Sequence, residues 1–285
     1  MKRIVLAVAM LMLGLALGAS VASCGTRSPA PASSDSPAMQ RFAEVLGHEP
    51  AGIARKIAES GTISVATDSD YAPQSYIDDT GQPQGFDVDT AKRLGELLGV
   101  KVKFVYPYWA TIPGKLAAGE FDVSIGSMAF TEERDKTLDF ADPYYYTKGQ
   151  VIMKEGGRPI SRVEDLFGHT VAVARDTTYE SFLQHYPQIR LKRYASDSNA
   201  FRDLKSGKVE YHMMAATSEQ QAILDGWPFE LTGPPLFYED LSFAIREGEP
   251  DLRMLLDDAV ATMHADGSLT KMSIQWHSGL DLSVK

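Results

Sequence analysis

Among 285 residues there is a single cysteine, at position 24. One thiol closes no intrachain disulfide, so core packing alone has to hold the fold. Histidine is sparse as well. His48, His169, His185, His212, His264 and His277 are scattered without metal-ligand spacing, so no metal site is expected. The chain has no glycine-rich phosphate loop, no nucleophile elbow and no CxxC pair, so no cofactor and no catalytic residue is expected. Basic charge is also short: 28 Lys and Arg face 38 Asp and Glu, a formal charge of −10. Without a basic footprint to neutralise phosphates, nucleic acid is excluded as a partner. What remains is a globular composition, 44% hydrophobic and 23% charged, with length for one large or two small domains.

The one long apolar run opens the chain. Lys2 and Arg3 precede apolar residues 4–18, too short a stretch to span a bilayer. It ends in Val21-Ala22-Ser23-Cys24, which resembles the lipobox of bacterial lipoproteins. Residues 1–23 are therefore expected to be a signal peptide, with lipidation of Cys24 tethering the protein outside a membrane. Residues 24–39 are rich in Pro, Ser and Ala and lack periodicity, as a flexible tether would. Residues 40–60 show helical spacing (Phe42, Val45, Leu46, Ile53, Ile57) and form a helical lead-in.

Beyond Gly61 the pattern alternates strands and helices. A strand over 63–66 ends in Asp68-Ser69-Asp70-Tyr71, where Asp68 suits either a turn or a ligand contact. Asp87 and Asp89 stand at the start of a helix whose apolar face is Ala91, Leu94, Leu97 and Leu98; capping and scaffold roles are expected of them. The stretch 121–134, FDVSIGSMAFTEER, predicts a strand to Gly126, a small-residue loop at 127–129, and a helix opened by Thr131 as N-cap. A strand end facing a helix start is where open α/β sheets bind ligands. Arg134 adds a fork of donors suited to a carboxylate, although spacing alone favours an ordinary surface arginine on the first turn. Further strands are predicted over 150–153, 170–173, 209–213 and 241–246, and helices over 198–205 and 250–263.

Six motifs in order make the chain similar to the family 3 extracellular solute-binding proteins, the polar amino-acid receptors of ABC importers. They are GTISVATDSDYAP (61–73), GFDVDTAKRLGELLG (85–99), the W-x6-L-x2-G-x-FDV run (109–123), TEERDKTLDFADPYY (131–145), VEDLFGHTVAVARDTTYESFL (163–183) and MHADGSLTKMSIQW (263–276). The resemblance implies an α/β, two-lobed periplasmic-binding-protein fold of type II, each lobe a mixed sheet flanked by helices and joined by two crossover strands. Lobe 1 would comprise 61–146 with 239–285, and lobe 2 residues 147–238. It further implies that Arg134 grips a ligand carboxylate with help from Ser127, the Ala129 N–H and Thr178. Asp68 would line the cleft, Tyr71 and Trp109 would face one another across the ligand, and Tyr179 would form a wall. At least one of the tyrosines at 144–146 is expected to face the cleft, because side chains alternate along a strand.

The implied partners are a small carboxylate-bearing solute, an ABC permease and, through the lipid, a membrane; the protein is expected to act as a monomer. One position departs from the pattern. Family members that bind α-amino acids carry an Asp where this chain has Ala215, leaving a ligand ammonium without its usual partner. Glu219, one turn on, is a candidate substitute. The alternatives are a dehydratase-like enzyme on the same scaffold, whose acid would match Ser218 or, with a one-residue shift, Glu219, and a ligand-sensing receptor component.

Overall fold

A computed structural model describes residues 36–285. The expected signal peptide, Cys24 and most of the expected tether lie outside the described residues. Two short helices lead in, α1 (Pro37–Leu46) and α2 (Gly52–Ser60). The Ser36 hydroxyl accepts the Met39 N–H at 3.1 Å and Pro37 occupies the first turn, so α1 begins inside the stretch read as tether. Phe42, Ile53 and Ile57 from these helices are buried in the core of the first half.

That half is built from β1 (Thr62–Ala66), the short strands β2 (Asp70–Tyr71), β3 (Ser75–Ile77) and β4 (Pro83–Gln84), α3 (Phe86–Leu98), β5 (Lys101–Val105), α4 (Ile112–Ala117) and β6 (Val123–Ala129). The long strand β7 (Leu138–Lys154) crosses to the second half. There β8 (Thr170–Ala174), α5 (Thr178–Gln184), β9 (Arg190–Tyr194), α6 (Asp197–Ser206), β10 (Tyr211–Ala215) and α7 (Ala216–Leu224) follow. A second long strand, β11 (Phe229–Arg246), returns the chain to α8 (Pro250–Ala265) and α9 (Ser268–Trp276).

The sheet order is β5-β1-β6-β11-β7-β10-β8-β9. Three parallel strands stand at each side (β5-β1-β6 and β10-β8-β9), and the antiparallel pair β7–β11 runs through the middle. This is the two-lobed, two-crossover arrangement, with the ladder continuous enough to make one curled mixed sheet. The pairing of β7 with β11 is interrupted between Thr232 and Phe237. Each half keeps its own apolar core: Phe86, Tyr144, Phe243 and Leu255 in the first, Val171, Val173, Leu183 and Met213 in the second. On α8 the five residues with helical spacing, Leu252, Leu255, Leu256, Ala259 and Val260, are all buried. Among the described residues no helix is long and apolar enough to cross a membrane.

Three local expectations are corrected. Residues 127–129 are not a loop: β6 continues through Ala129, with Leu241 and Ser242 of β11 opposite Ala129 and Met128, and every residue of the strand buried. Thr131 does accept the Arg134 N–H, at 3.2 Å, but it opens only a turn and a single-turn 3-10 helix at Arg134–Lys136. Segments 150–153 and 241–246 are pieces of the long strands β7 and β11, because polar residues between the apolar pieces still pair across the ladder.

Candidate functional site

The carboxyl ends of β1, β6 and β8 face one another across a cavity of about 60 Å³ between the halves. Clefts that hold drug-sized ligands begin at about 300 Å³, so this cleft is shut. All eight residues singled out from the sequence line it. From the first half come Asp68, Tyr71, Trp109, Ser127, Ala129 and Arg134; from the second come Thr178 and Tyr179.

Arg134 is the most constrained of them. Its Nη1 donates to the Ala129 carbonyl at 2.8 Å, and its Nη2 donates across the cleft to the Asp176 carbonyl at 3.3 Å. The guanidinium lies 5.4 Å from the centroid of the Trp109 ring. Trp109 Nε1 in turn donates to the same Asp176 carbonyl at 3.1 Å. Asp176 can aim that carbonyl at both because its φ of 59° places it in the left-handed region. Burial pulls the Arg134 pKa down from its ordinary value. Among the described residues no carboxylate stands within ion-pair distance of it, so a donor fork is held in the cleft with main-chain carbonyls alone.

Ser127 is positioned from beneath. It adopts φ 57°, beside a register shift between β6 and β11, and its N–H donates to Tyr144 Oη at 3.1 Å. Its hydroxyl donates to Asp87 Oδ2 at 2.8 Å and accepts from Tyr145 Oη at 2.7 Å, while Tyr144 Oη donates to Asp87 Oδ1 at 2.5 Å. Burial pushes the Asp87 pKa up to about 7, against the two hydroxyl bonds that pull it down. Asp87 and Asp89 are scaffold carboxylates as expected, Asp89 accepting from Trp276 Nε1 at 2.9 Å, but neither caps α3. The cap position is Gly85, where a Cβ would stand 2.3 Å from the Gln74 carbonyl oxygen. The tyrosine triplet also differs from expectation. Tyr144 and Tyr145 are fully buried under the site and Tyr146 lies along a second groove, so none of the three lines the cleft. Helices cover both faces of this sheet, and strand alternation therefore does not expose one face.

Asp68 fills both of its open readings: it accepts the Asp70 N–H at 2.8 Å and borders the cavity. Tyr71 packs against the core of the second half, so it bridges the two sides. Thr178 and Tyr179 both donate their hydroxyl protons to Glu239, the latter at 2.5 Å. Glu239, buried on β11, is the residue that sequence reasoning missed. In the run Phe237-Tyr238-Glu239-Asp240 it reads as one more polar residue on a crossover, and no periodicity marks it. Asp197 also borders the cavity and lies 3.0 Å from His212 Nε2.

Ala215 is fully buried at the end of β10 and does not line the cavity. Glu219 does not replace it, because α7 turns the side chain into the interior, with no exposure and no hydrogen-bond partner for either oxygen. Ser218 is turned away too, donating to Gln74 Oε1 at 3.1 Å while Gln74 Nε2 reaches Thr217 at 2.5 Å. These bonds tie α7 to the first half. No group of three or more His, Cys, Asp or Glu side chains among the described residues is arranged to hold a metal.

Residues 63–279 match the family model for bacterial extracellular solute-binding proteins, family 3. The L-cystine-binding protein of Escherichia coli is 30% identical over 232 residues, 79% of this chain and 86% of that protein. The ABC transporter arginine-binding protein 1 of the same organism is 28% identical, over 75% of this chain and 90% of its own. Among solved structures, an ancestral amino-acid-binding protein described as a precursor of cyclohexadienyl dehydratase superposes with a TM-score of 0.74 at 32% identity, covering 78% of this chain and 98% of that one. With the two-lobed fold and the shut cleft described above, the match places the chain in a family: it belongs to the family 3 bacterial extracellular solute-binding proteins.

Proposed function

We propose that this protein is the extracytoplasmic receptor of an ABC importer, taking an amino acid or a related small carboxylate-bearing solute between two hinged lobes. The lobes are read as 61–146 with 239–285, and 147–238, with the hinge where β7 and β11 cross between them. One observation carries the ligand class: the half-buried Arg134 guanidinium borders the cleft and meets no carboxylate of the described residues. A ligand carboxylate would supply the missing anion and replace the weak 3.3 Å bond to Asp176. The Ala129 N–H is read as a further donor, the Ser127 hydroxyl proton being committed to Asp87, and Trp109 and Tyr71 offer ring faces. Opening breaks the side-chain bonds that cross between the lobes, those of Asp176, Gln74, Asp70 and Glu239.

The role proposed is reversible capture and delivery, as the names of the cystine- and arginine-binding relatives indicate for them. Of the two positions weighed for the acid of a dehydratase-like reaction, Ser218 carries no acid and neither it nor Glu219 lines the cavity.

A thermal-shift screen of L-arginine, L-histidine, L-cysteine, L-cystine, dicarboxylates and prephenate tests the ligand class, since a ligand of the native state raises the melting point. Arg134→Met is expected to weaken the best ligand by about 100-fold or more, the usual scale for losing one partner of a buried charge pair. Unchanged affinity would remove the guanidinium from the mechanism, and turnover of prephenate would replace transport by catalysis. The membrane tether is proposed at Cys24. Cys24→Ser should move the full-length protein from the membrane to the soluble fraction, and retention on the membrane would rule the tether out.

A further inference from the structure

We propose that Glu239 is the acid that selects for an amine on the ligand, supplying the counter-charge that Ala215 cannot. The proposal rests on the binding role above and sharpens it from a carboxylate to a zwitterion.

The geometry begins with two protons. The Tyr179 hydroxyl donates to Glu239 Oε2 at 2.5 Å, and the Thr178 hydroxyl donates to Oε1. Each hydroxyl has a single proton, so with both committed the two oxygens can offer a ligand only lone pairs. This wall of the cleft is therefore acceptor-only: one carboxylate flanked by two hydroxyl oxygens. Thr178 is thereby removed from the side-chain donors expected to hold a ligand carboxylate. The opposite pole, Arg134, is donor-only. Donors on one side and acceptors on the other suit a ligand that carries both a carboxylate and an ammonium.

Among the acids lining the cavity, Glu239 is the one placed for this role. Asp197 faces His212 Nε2 at 3.0 Å without a hydrogen bond, and a loss of amino-acid affinity in Asp197→Asn in place of Glu239→Gln would assign the role to it instead. Asp70 is exposed and accepts from Ser198 Oγ at 2.8 Å, and Asp68 is turned to the Asp70 N–H. Glu239 is buried to 6% exposure, its hydrogen-bond donors are neutral, and no cation among the described residues lies within ion-pair distance. Burial raises its pKa, the usual state of a carboxyl short of a cation; the Thr178 and Tyr179 hydroxyls and the more distant Arg134 act in the opposite sense. A ligand ammonium would complete the pair.

The test compares paired probes by isothermal calorimetry: L-arginine with 5-guanidinopentanoate, L-cysteine with 3-mercaptopropionate, and L-histidine with 3-(imidazol-4-yl)propanoate. Each second member keeps the carboxylate and lacks the α-amine. The wild type is expected to prefer the amino acid of the pair it binds by about 100-fold or more. Glu239→Gln should lose about that factor for the amino acid and less than about 3-fold for the analogue, collapsing the preference. Glu239→Asp retains the charge and is expected to keep at least about a 10-fold preference, which preserves the test if the glutamine variant does not fold. Full amino-acid affinity in Glu239→Gln overturns the proposal, as does the same loss appearing in Asp68→Asn instead. A wild type that binds an analogue as tightly as its amino acid also overturns it while leaving carboxylate binding intact. Failure of every carboxylate to bind would overturn both.

Discussion

Each half of the molecule buries a carboxylate completely beneath its side of the cleft, and the two are treated in opposite ways. Asp87, on α3 of the first half, receives hydroxyl protons from Tyr144 and Ser127. Glu219, on α7 of the second half, receives none. Both lose water, and burial raises the pKa of both. Only Asp87 converts that loss into structure, because its two bonds fix Ser127 in its left-handed conformation at the bend of β6. The side of the cleft that carries Ser127 is thus braced from below by a connected network. The other side carries an acid with no partner in it, and rigidity of the wall there has to come from Gln74, Thr217 and the Glu239 hydroxyl bonds.

The contrast breaks hardest at Asp87. Asp87→Ala leaves two buried hydroxyls without their acceptor, each worth about 1–3 kcal/mol, so a loss of about 2–6 kcal/mol is expected at pH 4. The penalty should then shrink as the pH rises. Below its unfolded pKa of 3.8 the carboxyl is protonated in both states and the native bonds contribute fully. Between there and the folded value of about 7 the unfolded chain releases its proton and the native state does not, so wild-type stability falls with rising pH. The slope is about 1.4 kcal/mol per pH unit, up to about 4 kcal/mol in all, and flattens above neutrality. Chemical denaturation of wild type and Asp87→Ala at pH 4, 5.5 and 8 checks this. A penalty that grows with pH would show that Asp87 is a stabilising ion, not a neutral bracket.

How far the site was legible follows from the kind of group each position uses. Arg134, Trp109, Tyr71 and Ser127 border the cleft, and residue type with motif position pointed to them. Asp176 acts through a carbonyl aimed by a positive φ, and no side-chain pattern announces that. Glu239 lies on a crossover strand whose apolar and polar residues do not alternate, so its burial emerges only when α5 and β11 come together. The fold was legible in its elements more than in their lengths. Apolar runs marked the pieces of β7 and β11, but the polar residues that join them read as breaks until the ladder is seen. Glu219 was drawn toward the cleft by counting one turn from Ala215; in the structure α7 sends that turn inward.

Glu219 sharpens the comparison from the other side. A buried carboxyl without a donor or a cation costs its hydration and returns nothing, so replacing it with an apolar chain of similar length should stabilise the protein. Glu219→Met is expected to gain about 1–3 kcal/mol at neutral pH, the scale of the cost of burying one polar group without a hydrogen bond. The sign again carries a pH dependence. Because burial raises the folded pKa well above the unfolded 4.5, with Asp197 adding in the same direction and Lys148 opposing, wild-type stability declines above that pH as the unfolded chain ionises. The gain in Glu219→Met should therefore be smallest near pH 4 and widen toward neutrality, the mirror image of Asp87→Ala, whose loss narrows over the same interval. Melting curves at both ends of that range decide it. A Glu219→Met protein that is less stable at pH 7 would mean that the two halves bury their acids for the same reason after all, with Glu219 holding a partner that a methionine cannot.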